Sequence, residues 1–136
     1  MPMSEFYWPV RVYYEDTDAG GVVFYANYLK FFERARTEML RKHNINQQEL
    51  LETTGLMFVV RRVHVEYRLP ARLDELLDIS AKPRLQGRAR LVFEQEARRA
   101  CDQQLLCRAE AEIVCVAAGN MRPQPLPKEI LEIVSS

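Results

Sequence analysis

The chain is poor in the residues that most often build metal centres and nucleophilic triads. It has two histidines, His43 and His64, and three cysteines, Cys101, Cys107 and Cys115. The histidines are far apart and lack ligand-type spacing with any cysteine, so no metal site is expected. The cysteines are odd in number and form no C-x-x-C pair, which reads as reduced thiols in a cytoplasmic protein. An excess of one charge is missing too, because nineteen basic residues balance nineteen acidic ones. Bulk binding to nucleic acid or to an anionic membrane is therefore not expected. No apolar run is long enough to span a bilayer. The opening M-P-M-S-E-F-Y-W-P-V has no basic segment followed by an apolar one, so it does not read as a signal peptide.

What is present suits a globular domain. At 136 residues, a single domain over 1–136 is expected, and a fold of this size hides roughly two-thirds of its unfolded surface. No internal repeat, low-complexity stretch or linker interrupts it. Phe6 to Tyr14 is aromatic and β-branched and predicts a first strand. From Tyr25 the apolar positions Tyr25, Tyr28, Leu29, Phe32, Ala35 and Met39 recur at helical steps to about His43. Lys30, Glu33, Arg34, Glu38, Arg41 and Lys42 occupy the other face, with Glu38 and Lys42 spaced for an i,i+4 pair. Asn44 is expected to end this helix. A short helix from Gln47 to Thr54 should stop at Gly55.

Strands dominate the remainder. Met57 to Leu69 alternates, with an interruption at Arg61, and ends before Pro70. Leu76 to Leu85 reads as one strand in which Pro83 implies a bulge or an edge. Arg88 to Ala100 follows, then a turn over Cys101 to Gln104. The cleanest alternation places Cys107, Ala109, Ala111, Ile113, Cys115 and Ala117 on one face and Arg108, Glu110 and Glu112 on the other. The small residues leave room for a bulky element against the sheet. A tail helix, Lys128 to Val134, closes the chain. One long helix with about five strands predicts an α+β fold, an antiparallel sheet wrapped round a long central helix.

The segment Val12 to Tyr28, V-Y-Y-E-D-T-D-A-G-G-V-V-F-Y-A-N-Y, is the most informative. An apolar run stops at Glu15, Asp16 and Asp18, a double glycine follows, and the helix pattern begins. A carboxylate on a tight turn just ahead of a helix start lies next to unpaired N–H groups, an arrangement suited to acyl transfer. An Asx turn with no chemistry is the plain alternative. A calcium loop fails, because counting from Asp16 puts Asn27 where a bidentate glutamate is required. Cys107 and Cys115 share an apolar strand face and read as buried, inert thiols. His64 shares a face with Arg62 and Glu66 and reads as a partly exposed polar group. Glu33 falls on the charged helix face. Arg84, Arg88 and Arg90 read either as a solvated strand face or as a phosphate-binding patch.

The run Y-Y-E-D-T-D-A-G-G-V-V-x-x-A-N-Y-L-K-F-F-E-R-A-R-T-E-M-L-R resembles the signature of the hotdog-fold acyl-CoA thioesterases. Within that superfamily it is similar to the 4-hydroxybenzoyl-CoA branch and to the small bacterial thioesterases associated with the Tol-Pal envelope system. Weaker similarity reaches to about Arg122. The resemblance implies a hotdog fold, hydrolysis of acyl-CoA, no cofactor, and a homodimer or homotetramer joined at sheet edges. It makes the second acid, Asp18, the base or nucleophile and gives the Tyr25 backbone N–H the oxyanion contact. Close relatives carry histidine where this chain has Tyr25, but any residue except proline supplies that donor. It also suggests coenzyme A phosphates for Arg84, Arg88 and Arg90, and acyl carrier protein as a possible partner. Two other readings stand beside the hydrolase. One is a non-catalytic subunit that binds acyl carrier protein or an envelope complex. The other is a hotdog dehydratase, which needs a histidine that the signature here lacks.

Overall fold

A computed structural model of the chain describes residues 6–135. In chain order its elements are β1 (Tyr7–Arg11), α1 (Asn27–Lys42), α2 (Gln47–Thr54), β2 (Leu56–Tyr67), β3 (Leu76–Ser80), β4 (Lys82–Leu85), β5 (Arg90–Arg99), β6 (Leu105–Ala117) and α3 (Lys128–Ser135). The strands form one antiparallel sheet in the order β1-β3-β5-β6-β2, with β4 beside β5.

Six strands appear where about five were expected, because Leu76–Leu85 is divided at Ala81. The division has a hydrogen-bonding cause. The Glu96 N–H goes to the Ser80 hydroxyl at 2.9 Å, and the Ser80 carbonyl accepts the Gln95 side-chain amide at 3.1 Å. Side chains thus take over where ladder bonds would be. Both halves still pair with β5, while β1 pairs only with β3. Pro83 therefore sits on a strand paired on one side, where its missing N–H breaks no ladder. The expected interruption at Arg61 is a register shift between Val60 and Arg62. The first strand ends at Arg11, short of the expected Tyr14, and Tyr14–Asp16 forms a single 3-10 turn instead.

α1 buries Tyr28, Phe31, Phe32, Ala35, Met39 and Leu40 in one core cluster with Leu77, Ile79, Leu91, Phe93 and the inner face of β6. Each large apolar side chain so buried contributes about 1.5–3 kcal/mol, far more than the intrinsic stability of a helix this short. The buried stripe is displaced from the expected one. Tyr25 and Leu29 are exposed, and Phe31 and Leu40 take their places. Regular helix starts only at Asn27, so Tyr25 does not share the phase of the residues that follow. On the polar face, Glu38 pairs with Arg41 at 2.9 Å, not with Lys42, whose ammonium lies 5.8 Å from the Phe6 ring centroid.

The helix ends follow their local chemistry. Asn44 takes a positive φ of 63° just after α1. Asn46 caps α2 by accepting the Glu49 N–H, and Gly55 closes it at φ 73°. On β6, Cys107, Ala109, Ala111, Ile113 and Cys115 are all buried, as the alternation indicated, while Arg108 and Glu110 are exposed. Gln95 is the most deeply buried polar side chain of β5. It donates to the Phe32 carbonyl at 3.0 Å and accepts from Arg36 at 3.0 Å, tying α1 to the sheet.

Candidate active site

The segment between β1 and α1 folds as a small hairpin. Thr17 and Val23 form an antiparallel bridge. Asp18 N–H donates to the Val22 carbonyl at 2.9 Å, and Gly21 N–H donates to the Asp18 carbonyl at 3.0 Å. Gly21 sits at φ +77°, a region that side-chain-bearing residues rarely enter. The hairpin is held to the rest of the molecule by Val23 N–H on the Ala71 carbonyl at 2.8 Å and by a bridge between Val22 and Arg72.

The two aspartates of D-T-D have different environments. Asp16 is buried, and both of its carboxylate oxygens are occupied. One accepts the Tyr13 N–H at 2.8 Å, and the other accepts the Asn27 side-chain amide at 2.7 Å. It therefore ties the 3-10 turn to the first residue of α1. Asp18 is exposed. Its Oδ1 accepts the Gly20 N–H at 2.8 Å, and a Cβ added at Gly20 would come within 3.3 Å of that oxygen. Its Oδ2 has no partner among the described residues, and no cation pairs with it there. The Asx turn of the plain reading is thus real, but it engages only half of the carboxylate.

Tyr25 stands at the other end of the hairpin, in the turn that leads into α1. Asn27 N–H donates to the Phe24 carbonyl at 3.0 Å, and Tyr28 N–H donates to the Tyr25 carbonyl at 3.3 Å. The Tyr25 N–H has no acceptor among the described residues. The helix start thus offers a bare donor at its positive end. Tyr28 lies beneath it and accepts the Ala71 N–H on its hydroxyl at 3.2 Å. Burial pushes the Tyr28 phenol up to about 12, so that hydroxyl stays neutral.

Among the described residues none of the three arginines forms an ion pair with Asp18. Arg84 is held by Glu94 at 3.2 Å and Glu110 at 3.7 Å, and Arg90 lies 3.5 Å from Glu112. Arg88 follows Gly87 on an exposed turn and has no carboxylate partner among the described residues. Burial pushes the Cys107 thiol up to about 12 and raises that of Cys115, so neither is a ready nucleophile. Among the described residues no group of three or more His, Cys, Asp and Glu side chains is placed to hold a metal ion. No described helix is long and apolar enough to cross a membrane. A cavity of about 1240 Å³ lies at the opposite end of α1, against Met39, His43, Ser80 and Ile133. Neither Asp18 nor Tyr25 lines it or the smaller cavity under Arg36. The candidate site is a surface feature of the single chain.

Sequence reasoning did not find Asn27 or Tyr67 as parts of this site. Asn27 sits in the quoted A-N-Y, and its polar side chain at the head of an apolar stripe was the available signal. Tyr67, whose ring centroid lies 4.5 Å from that of Tyr25, meets it only through folding, with no local mark of its own.

Residues 12–134 match the model of the family described as Thioesterase-like superfamily. The chain is 52% identical over 131 residues to the acyl-CoA thioester hydrolase YbgC of Escherichia coli, covering 96% of each protein. It is 48% identical over 125 residues to the acyl-CoA thioesterase YbgC of Haemophilus influenzae, covering 92% of this chain and 90% of that one. Among solved structures, a probable thioesterase from Bartonella henselae superposes with a TM-score of 0.83 at 35% identity, covering 91% of this chain and all of that one (100%). Slr0204, a 1,4-dihydroxy-2-naphthoyl-CoA thioesterase from Synechocystis, shares the fold at a TM-score of 0.91 and 22% identity, covering 98% and 97% of the two chains. The chain therefore belongs to the thioesterase-like superfamily and is a thioester hydrolase on a hotdog fold.

Proposed function

We propose that the substrates are acyl-CoA thioesters, with Asp18 as base or nucleophile and the Tyr25 N–H as oxyanion donor. One observation carries this reading. A carboxylate oxygen and a backbone N–H, both without partners among the described residues, flank the same short hairpin. The thioester oxygen gains charge on attack, and a donor fixed beforehand stabilises it without reorganising, often by about 3 kcal/mol. The thiolate leaves readily, so no strong acid is needed and one carboxylate suffices. Asp18 has two routes. As a nucleophile it forms a mixed anhydride that water then opens. As a base it takes a proton from the water that attacks the carbonyl.

The names of the relatives support coenzyme A as the handle. Among the described residues Arg88 has no carboxylate partner and could meet a phosphate directly, whereas Arg84 and Arg90 would first have to leave glutamates. Acyl carrier protein remains an alternative handle. Residues 6–135 share one core cluster, in keeping with a single domain. The assembly we propose is a homodimer or a pair of dimers. Among the described strands the outer edge of β2 is unpaired, and β2 exposes Val60, Val63 and Tyr67; edges of this kind are normally covered. Three free cysteines support a reducing, cytoplasmic setting.

Purified protein should release free thiol from members of a panel of short, long and aromatic acyl-CoAs. Release from none of them, beside binding to acyl carrier protein, would instead favour the non-catalytic subunit.

A further inference from the structure

Tyr67 ends β2 and lies forty-two positions beyond Tyr25 in the chain. Its hydroxyl donates to the Tyr25 carbonyl at 3.0 Å. Its ring centroid lies 4.5 Å from that of Tyr25 and 5.7 Å from that of Tyr28. Tyr25 is the residue whose N–H the hydrolytic reading assigns to the oxyanion, and it precedes the regular helix. Among the described residues two hydrogen bonds hold its carbonyl, and the one from within the helix start, Tyr28 N–H, is the longer at 3.3 Å. Helix ends fray unless something outside the helix pins them. Tyr67 is well suited to that task. It is registered opposite Cys107 on β6, so its backbone belongs to the rigid sheet.

We propose that Tyr67 is a positioning residue for hydrolysis. Its hydroxyl grips the carbonyl on one side of the Tyr25 α-carbon, and its ring backs the Tyr25 ring, so that the N–H on the other side keeps its aim at the thioester oxygen. The inference rests on the hydrolytic reading of Asp18 and Tyr25. Burial of the phenol, with Cys107 and Tyr25 nearby, raises its ionisation above the ordinary tyrosine value, so the hydroxyl remains a donor throughout the neutral range. A purely structural tyrosine would make the same contacts and affect only stability. A positioning tyrosine affects turnover in particular, because the charge it helps to stabilise exists only in the transition state.

The test compares the wild-type protein with Tyr67→Phe, Tyr67→Ala and Asp18→Asn. Each is assayed for kcat, KM, melting midpoint and affinity for an acyl-CoA thioether, which lacks a reactive carbonyl. Tyr67→Phe is expected to lower kcat roughly tenfold, less than the ~10²-fold or more that follows loss of an oxyanion donor itself. KM and thioether affinity should stay within about twofold, because ground-state binding does not use this bond. Tyr67→Ala, which also removes the ring, should lower kcat further. The inference is overturned if Tyr67→Phe turns over at the wild-type rate, or if its loss is matched by weaker thioether binding. It is also overturned if the rate recovers fully once the folded fraction is taken into account. An active wild type, an inactive Asp18→Asn and an unchanged Tyr67→Phe would remove this inference alone. A wild type inactive on every thioester would remove it together with the reading it rests on.

Discussion

Asp18→Asn is expected to lower kcat for acyl-CoA hydrolysis by roughly a hundredfold to ten-thousandfold, with the melting midpoint nearly unchanged. The asparagine oxygen can still accept the Gly20 N–H, which Asp18 Oδ1 holds at 2.8 Å, so the turn keeps its shape. The other carboxylate oxygen has no protein partner to lose among the described residues. What disappears is the negative charge, and with it either a nucleophile or a proton acceptor. KM should move little, because the carboxylate acts on the reacting carbonyl and not on the nucleotide. Steady-state kinetics beside a thermal melt check both halves of the expectation. Wild-type turnover in a well-folded Asp18→Asn protein would remove Asp18 from the mechanism.

The same substitution two residues earlier should do the reverse. Asp16→Asn is expected to destabilise the fold by roughly 2–3 kcal/mol. Asp16 is buried, and its two oxygens face two donors, the Tyr13 N–H and the Asn27 amide nitrogen. An asparagine offers only one oxygen and turns its own NH₂ toward the second donor. The buried hydrogen bond to Asn27 loses its charge, and Asn27, only 1% exposed, must turn its amide over inside the packed turn to meet the new NH₂. For a domain of this size the loss corresponds to a fall of roughly 10 °C in melting midpoint, read by circular dichroism. Activity per folded molecule should fall less than in Asp18→Asn, because Asp16 shapes the Tyr25 turn without meeting the thioester. A melt unchanged in Asp16→Asn would mean that the carboxylate does not hold the turn to α1. The pair of variants separates the acid that builds the site from the acid that works in it.

Much of this was legible in the sequence wherever the physics is local. Asn44, Asn46 and Gly55 mark the ends of α1 and α2 because capping and positive φ are properties of single residues. The alternation on β6 showed its buried face because side-chain direction along a strand has period two. Pro83 pointed to an edge for want of one N–H. The failures came where distant groups decide. The split at Ala81 depends on Ser80 accepting bonds from the Gln95 side chain and the Glu96 N–H across strands. The phase of α1 was misjudged because Tyr25 looks helical by spacing but stands in a turn pinned by Asp16, Asn27 and Tyr67. The division of labour between Asp16 and Asp18 entered through family resemblance, not through spacing. The fold gives the two acids different surroundings: Asp16 is buried on Tyr13 and Asn27, while Asp18 is exposed with one oxygen unpartnered among the described residues. For the arginines, no local pattern says which of them a glutamate on the neighbouring strand takes.

The central claim is that one bound thioester carbonyl meets both the side chain at position 18 and the Tyr25 N–H. A crystal structure of the Asp18→Asn protein soaked with an acyl-CoA tests it most directly. The account expects the carbonyl oxygen about 3 Å from the Tyr25 nitrogen, with the side chain at position 18 about 3–3.5 Å from the carbonyl carbon or from a water poised to attack it. An acyl-CoA bound with its carbonyl away from the Tyr25 turn, for example in the cavity at the far end of α1, would contradict it.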